Sequence, residues 1–273
     1  MEREFSYTRS DFDEARKRLY RSAGISLSDS KDQLVYSRLV RRLRQLRLAD
    51  FPSYFAYLDK HADEVEQFIN ALTTNLTAFF REEHHFDYLA EYLRKHHTPG
   101  RQWRIWCAAS STGEEPYSLA MTVAEVFSRF DAPVDIMASD IDTKVLATAR
   151  EGIYPESRLE SVNAERKRAF FLRGKGTNAG RVRVVTDLRK MLEFRQINLL
   201  APEWAVKPGI DVIFCRNVMI YFDKQTQHTL LERMVKLLKP GGLFVAGHSE
   251  SFVHANDVVR LIGRTIYQPV PSS

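Results

Sequence analysis

The run Trp106-Cys-Ala-Ala-Ser-Ser-Thr-Gly-Glu-Glu-Pro-Tyr-Ser118, followed by Ala138-Ser-Asp-Ile-Asp142, restricts the fold more than any other part of this chain. It reads as a buried strand, a tight loop, a helix and a second strand that ends in an acid. Repeated along the chain, that pattern makes an α/β protein with a parallel, doubly wound sheet. Such sheets bind ligands outside the carboxyl ends of their strands. Asp140, at the end of the second strand, is placed to accept both hydroxyls of a ribose, or else to cap the helix beginning at Thr143. Glu114 or Glu115 opens the first helix, where one of them can meet an ammonium or a ribose and the other the helix end.

The loop holds a single glycine, Gly113, where a pyrophosphate cradle needs the three of G-x-G-x-x-G. A nicotinamide dehydrogenase therefore fits poorly. A nucleoside without a pyrophosphate, such as S-adenosylmethionine, fits better.

With 273 residues the chain is long enough for one large domain or two modest ones. It contains no run of 18 apolar residues and no apolar signal core near Met1, so a cytoplasmic protein that is not membrane-inserted is expected. Cys107 and Cys215 each sit in an apolar run without metal-ligand neighbours, so no metal site is expected and both read as small core residues. The net charge of +5 permits an acidic partner without naming one.

Residues 10–95 read as helical, with helices at 10–22, 31–48 and 51–71, a break at 73–81, and a further helix at 82–96. Strands and helices then alternate. Strands are expected at 104–108, 134–139, 192–198, 211–216, 243–247 and 265–269, and helices at 115–130, 143–151 and 225–238. Residues 153–190 interrupt the pattern. Three glycines and Asn178 between two short strand-like runs predict a small antiparallel ribbon inserted between the second and third sheet strands. The division expected is a helical N-terminal domain at 1–72, a linker and helix at 73–95, and an α/β domain at 96–273. Only a few residues at each end read as disordered.

Further polar residues stand where a cofactor and an acceptor would meet. Asn198 and Leu199 follow the third strand and suit an adenine edge and face. Arg216 and Asn217 emerge from the buried fourth strand, in Phe214-Cys-Arg-Asn-Val-Met-Ile-Tyr-Phe222, with Tyr221 at the rim. The Asp/Asn-Pro-Pro-aromatic loop that methylates base amines is missing. In the linker, Asn75, Thr77 and Arg81 lie among large apolar residues. A linker folded over the cofactor would bury Phe79 and Phe80 and turn Arg81 toward a carboxylate, of the cofactor or of the acceptor. In the second helix, Arg38, Arg41, Arg42, Arg44 and Arg47 are expected to face outward, with no acid among them. That face suits an acidic protein helix or nucleic acid, and the scarcity of stacking aromatics favours protein. His84 and His85 are adjacent on a helix and read as packing or capping residues; His248 follows the fifth strand.

The stretches Asn70-Ala-Leu-Thr-Thr-Asn-Leu-Thr-Ala-Phe-Phe-Arg-Glu82, Ser111-Thr-Gly-Glu-Glu-Pro-Tyr-Ser118, Ala138-Ser-Asp-Ile-Asp142, Phe214-Cys-Arg-Asn-Val-Met-Ile-Tyr-Phe222 and Gly247-His-Ser-Glu250 resemble, in order and spacing, the chemotaxis receptor methyltransferases of the CheR type. The resemblance covers nearly the whole chain. It implies a Rossmann-like S-adenosylmethionine domain with an inserted antiparallel β-subdomain, preceded by an all-helical domain. It also implies methylation of glutamate side chains on the cytoplasmic bundle of methyl-accepting chemoreceptors, by a monomer recruited to membrane-bound receptor arrays. By the same resemblance Asn75, Thr77, Arg81, Glu115, Asp140, Asn198, Leu199, Arg216 and Asn217 line the cofactor site. Arg81 and Tyr221 sit nearest the transfer, the arginine helix docks on the receptor, and the β-subdomain binds a receptor C-terminal pentapeptide in members that use one. The turn Gly174-Lys-Gly-Thr-Asn-Ala-Gly180 matches such members in part: Arg181 stands where an apolar residue is familiar. A nucleic-acid methyltransferase and a non-catalytic receptor adaptor are the other readings weighed.

Overall fold

The structure, a computed structural model, describes residues 3–73 and 75–271. Thr74 of the expected linker and the residues at either end that read as disordered (1, 2, 272 and 273) lie outside the described residues. The chain forms two compact units, Met1–Thr74 with Tyr221–Thr226, and Asn75–Ile220 with Gln227–Ser273.

The first unit is helical. Helix α1 spans Arg9–Ala23, with Thr8 and Asp11 closing a reciprocal capping box at its start. Helix α2 spans Asp32–Leu46, α3 Phe51–Leu58 and α4 Ala62–Leu72. Phe12, Leu19, Leu39, Leu43, Phe51 and Phe68 are fully buried and make the core.

The single helix expected over 51–71 is two helices, broken between Leu58 and Ala62. Their apolar residues hold one phase across the break, so periodicity alone conceals it. The break allows Tyr54 to donate to Glu64 at 2.9 Å. In a straight helix ten residues would separate them by about 15 Å along the axis. Glu64 is buried and also receives both forks of Arg42.

In the second unit, helix α5 (His84–His96) leads into β1 (Trp103–Cys107), α6 (Glu114–Phe127), β2 (Val134–Asp140) and α7 (Thr143–Glu151). After the insert come β6 (Leu192–Gln196), β7 (Ile210–Phe214), α10 (Lys224–Val235), β8 (Leu238–Val245), β9 (Val259–Gly263) and β10 (Ile266–Pro269). They form a seven-stranded sheet in the order β6-β2-β1-β7-β8-β10-β9. The first five are parallel. The last expected strand, β10, departs from the parallel expectation: it runs antiparallel to both β8 and β9. A two-residue turn, Arg264-Thr265, joins β9 to β10, too short for the crossover a parallel pair needs. Strand β9 itself was not expected from the sequence.

The insert holds β3 (Ile153–Pro155), α8 (Ala164–Phe170), β4 (Phe171–Arg173), β5 (Arg181–Val184) and α9 (Thr186–Lys190). It is a three-stranded antiparallel sheet with β5 in the middle, one strand more than the expected ribbon.

Candidate active site

Five parallel strands end side by side, and each releases one of the polar stretches singled out above. In sheet order these are Asn198-Leu199 after β6, Asp140 closing β2, Ser110–Gly113 after β1, Arg216-Asn217 after β7, and Gly247–Glu250 after β8. The linker from Asn75 to Glu82 is tied along that row by two hydrogen-bond networks.

The first network centres on Asp140. Its Oδ2 accepts from the Ser111 backbone N–H at 2.8 Å and its Oδ1 from that of Asp142 at 3.0 Å. Asn75 Nδ2 donates to Asp142 Oδ2 at 3.0 Å, and the Asn75 carbonyl receives Ser111 Oγ at 3.3 Å. Asp142, not Asp140, caps α7, accepting from the N–H groups of Lys144 and Val145. The capping alternative for Asp140 is therefore taken by its neighbour. Burial pushes the Asp140 carboxyl up to about 6, against the pull of the backbone donors from Asp142 and Ser111. A carboxylate has about four lone-pair sites, so beyond the backbone donors of Asp142, Ser111 and Ile141 it still has room to accept from a ligand.

Gly113 shapes the loop between β1 and α6. Its φ is +102°, and a Cβ there would stand 2.7 Å from Tyr154 Oη and 2.9 Å from Ala149 Cβ. Tyr154 Oη also donates to the Thr112 carbonyl at 2.7 Å.

The second network centres on Arg216, which is 3% exposed. Its Nη1 donates to Glu115 Oε2 at 2.5 Å, its Nη2 donates to the Arg81 carbonyl at 2.5 Å, and Nη2 lies 3.2 Å from Glu82 Oε2. Cys107 Sγ lies 3.3 Å from the other oxygen of Glu115, and burial pushes the thiol up. Cys215 is also a buried free cysteine. Glu82 accepts the backbone N–H of His248 at 3.0 Å and is held below the ordinary carboxyl range by Arg216 and that N–H, in spite of its burial. Phe79 and Phe80 are buried, and Phe80 N–H donates to Ser118 Oγ at 2.9 Å. Arg81 remains half-exposed, with Nη1 donating to the Leu76 carbonyl at 3.0 Å. Thr77 offers its carbonyl to Arg158 of the insert at 3.2 Å.

Elsewhere Asn198 Oδ1 accepts from Leu200 N–H at 2.9 Å, and Leu199 is buried with its carbonyl held by Trp204 and Arg233. His85 packs as expected, its Nε2 3.0 Å from the Arg264 carbonyl, and burial lowers its pKa to about 4. His248 is exposed. Tyr221 belongs to the segment grouped with the helical unit, where its carbonyl accepts from Ser26 N–H at 2.9 Å.

The arginine helix departs from expectation. Arg42 turns inward onto Glu64, because it lies one helical turn beyond buried Leu39. Arg38 donates to the carbonyls of Ala71 and Thr73 at the end of α4, and Arg44 pairs with Glu4. Arg41 and Arg47 are exposed. Glu82 and Glu250 were not singled out from sequence, although both stand inside the quoted stretches.

An adenosine cofactor suits these residues. Ser110 Oγ, Glu114 Oε1 and Arg216 Nε are buried without a hydrogen-bond partner. All three follow β1 or β7, adjacent strands of the sheet. Buried polar atoms of native proteins are normally satisfied, so orphans at strand ends point to a ligand. Among the described residues no group of three His, Cys, Asp or Glu side chains is placed to hold a metal ion. No helix among them is long and apolar enough to cross a membrane.

Comparison with known proteins agrees. The family description "CheR methyltransferase, SAM binding domain" matches residues 75–268, and "CheR methyltransferase, all-alpha domain" matches residues 10–73. Chemotaxis protein methyltransferase 2 of Pseudomonas aeruginosa is 61% identical over 266 residues, covering 97% of this chain and 95% of the relative. The chemotaxis protein methyltransferase of Escherichia coli is 49% identical, covering 91% and 87%. That of Salmonella typhimurium is 50% identical, covering 91% and 86%.

Proposed function

The chain belongs to the CheR methyltransferase family, and on that premise we propose that it methylates glutamate carboxylates on the cytoplasmic helices of chemoreceptors, giving methyl esters and S-adenosylhomocysteine. It is an S-adenosylmethionine-dependent methyltransferase of chemotactic adaptation. The row of polar strand ends, crossed by the linker from Asn75 to Glu82, is the observation that carries the residue assignments. Work in the cytoplasm as a monomer, recruited to receptor arrays, belongs to the same reading.

When bound, S-adenosylmethionine supplies a methyl group on a cationic sulfur, which an ionised carboxylate can accept directly by in-line displacement. A glutamate is already ionised near neutral pH, so no strong general base is required. The protein's part is proximity, alignment and exclusion of water. Asp140 receives ribose hydroxyls, Asn198 and Leu199 hold the adenine, and Glu115 with Asn75, Thr77, Arg216 and Asn217 lines the remainder. Arg81, half-exposed beside this row, orients a carboxylate through its planar fork.

The test combines methyl-labelled S-adenosylmethionine with a chemoreceptor cytoplasmic fragment, followed by alkali and counting of volatile methanol. Base-labile counts that vanish when the receptor glutamates become alanine are the expected result. Tight cofactor binding without such counts would favour the adaptor reading. Arg81→Ala is expected to lower turnover roughly 100-fold, the scale for one charged donor at a reacting group. Intact turnover and intact cofactor affinity together would remove Arg81 from this role.

Receptor docking falls first to Arg41 and Arg47, because Arg38, Arg42 and Arg44 already hold partners. Arg41→Glu with Arg47→Glu is expected to raise KM for the receptor fragment about 10-fold at low salt, an effect that shrinks as salt screens it. An unchanged KM would place docking elsewhere. The outer strands of the insert sheet, with Leu172 exposed on β4, are the surface on which a receptor pentapeptide would lie.

A further inference from the structure

The turn after β8 contains a carboxylate with no part in the reaction as described so far. Glu250 is 4% exposed. Its Oε2 accepts the backbone N–H groups of Gly247 at 2.6 Å and Asn217 at 2.9 Å, and its Oε1 accepts that of Met219 at 2.7 Å. One side chain thus closes its own turn and clamps the turn after β7. Two features mark the residue it clamps. Asn217 has a φ of +58°, in the left-handed region that asparagine enters more readily than most residues, and here its N–H is held by Glu250. Its side chain lies so close to Gly247 that a Cβ on that glycine would stand 2.2 Å from Asn217 Nδ2 and 2.9 Å from its backbone N. Beyond Gly247 the Asn217 amide points toward Glu82, with Nδ2 3.5 Å from Oε1.

A buried carboxylate normally needs a cation or a set of donors. Here the donors are backbone N–H groups, Gly247 of its own turn and Asn217 and Met219 of the loop after β7. Gly247, lacking a Cβ, then leaves the room in which the Asn217 side chain lies against it. We propose that Glu250 is a positioning residue for methyl transfer: it acts through Asn217, fixing the left-handed backbone that directs the Asn217 amide along Gly247 into the cofactor site. The proposal rests on the methyl-transfer reading above.

The test is a double-mutant cycle on the full chain with Glu250→Gln, Asn217→Ala and the pair. Affinity for S-adenosylhomocysteine and, separately, kcat and KM with a receptor fragment are measured. Glutamine keeps one acceptor oxygen and turns an NH2 toward N–H groups that need an acceptor. Each single variant is expected to lose roughly 10-fold in affinity, in kcat or in both, and the pair no more than the worse single variant. A general role in folding would instead multiply the two losses, and that outcome overturns the proposal. Should Glu250→Gln fail to fold, Glu250→Asp takes its place in the cycle, since it keeps the carboxylate but withdraws it by one methylene from the N–H groups of Gly247, Asn217 and Met219. If the wild-type chain methylates no receptor fragment, the methyl-transfer reading fails on that arm. Coupling in S-adenosylhomocysteine affinity still decides whether Glu250 acts through Asn217.

Discussion

Asp140→Asn lowers the affinity for S-adenosylhomocysteine about 100-fold: this is the largest binding effect expected in the molecule. Two hydroxyl donors on one carboxylate are charge-assisted bonds, each worth roughly 1.5–3 kcal/mol. A net loss of about 3 kcal/mol corresponds to about 100-fold in affinity. Asparagine has the same shape but only one acceptor oxygen, and that oxygen is already wanted by the backbone donors Ser111 and Asp142. Isothermal titration of both chains at pH 7.5 measures the difference. A change below 3-fold would reduce Asp140 to a tie between the ends of β1 and β2.

The same side chain gives the binding a pH dependence of known sign. The free protein holds the Asp140 carboxyl at about 6. Cofactor binding requires the ionised form, so affinity is full above that value and falls as pH drops through it. From pH 7 to pH 5 the loss is about 10-fold. The stability term runs the other way. A carboxyl raised above its ordinary value favours the fold while protonated, and that contribution is lost as pH rises through about 6. In Asp140→Asn the binding slope between pH 5 and 7 should flatten, which separates this group from others that titrate nearby.

The strand-loop-helix-strand start of the sheet is legible from sequence because local signals agree there. Apolar strands are bounded by small residues, and the expected helix 143–151 coincides with α7. The acid at the end of β2 follows from chain order alone. What escaped reading depends on partners distant in sequence. The kink between α3 and α4 leaves the apolar phase intact, and only the meeting of Tyr54 with Glu64 betrays it. Arg42 faces inward because α4 brings it a carboxylate, although its place one turn after Leu39 carried a faint sign. Strand β9 has a single fully buried residue, Val259, with Arg260, Leu261 and Ile262 exposed, so it lacks the apolar run that marks the other strands. Glu82 and Glu250 meet the residues they serve across gaps of 135 and 33 positions. No local pattern announces a carboxylate whose donors are backbone groups.

Arg216→Ala is expected to give the largest loss of stability, because it strands two carboxylates at once. Glu115 is 8% exposed, and the Glu82 side chain 15%. Arg216 is the cation that both face, and it also ties the Arg81 carbonyl to the end of β7. Removing one partner of a buried ion pair typically costs about 3–5 kcal/mol, since the remaining charge keeps its desolvation penalty. Urea unfolding followed by circular dichroism reads this directly. Lysine should recover only part of the loss, because a single ammonium cannot reach Glu115, Glu82 and the Arg81 carbonyl as a planar guanidinium does. The pH dependence identifies the cause. Without Arg216 the burial of Glu82 is no longer outweighed, so its carboxyl rises, and the variant regains stability as pH falls and that carboxyl protonates. The deficit against the native chain should therefore shrink from pH 8 to pH 5. A deficit independent of pH would mean that lost packing against Phe86, over which the guanidinium lies at 5.7 Å, outweighs the stranded charge. Glu115→Gln added to Arg216→Ala separates the two causes again, since it should restore stability only if charge is the origin.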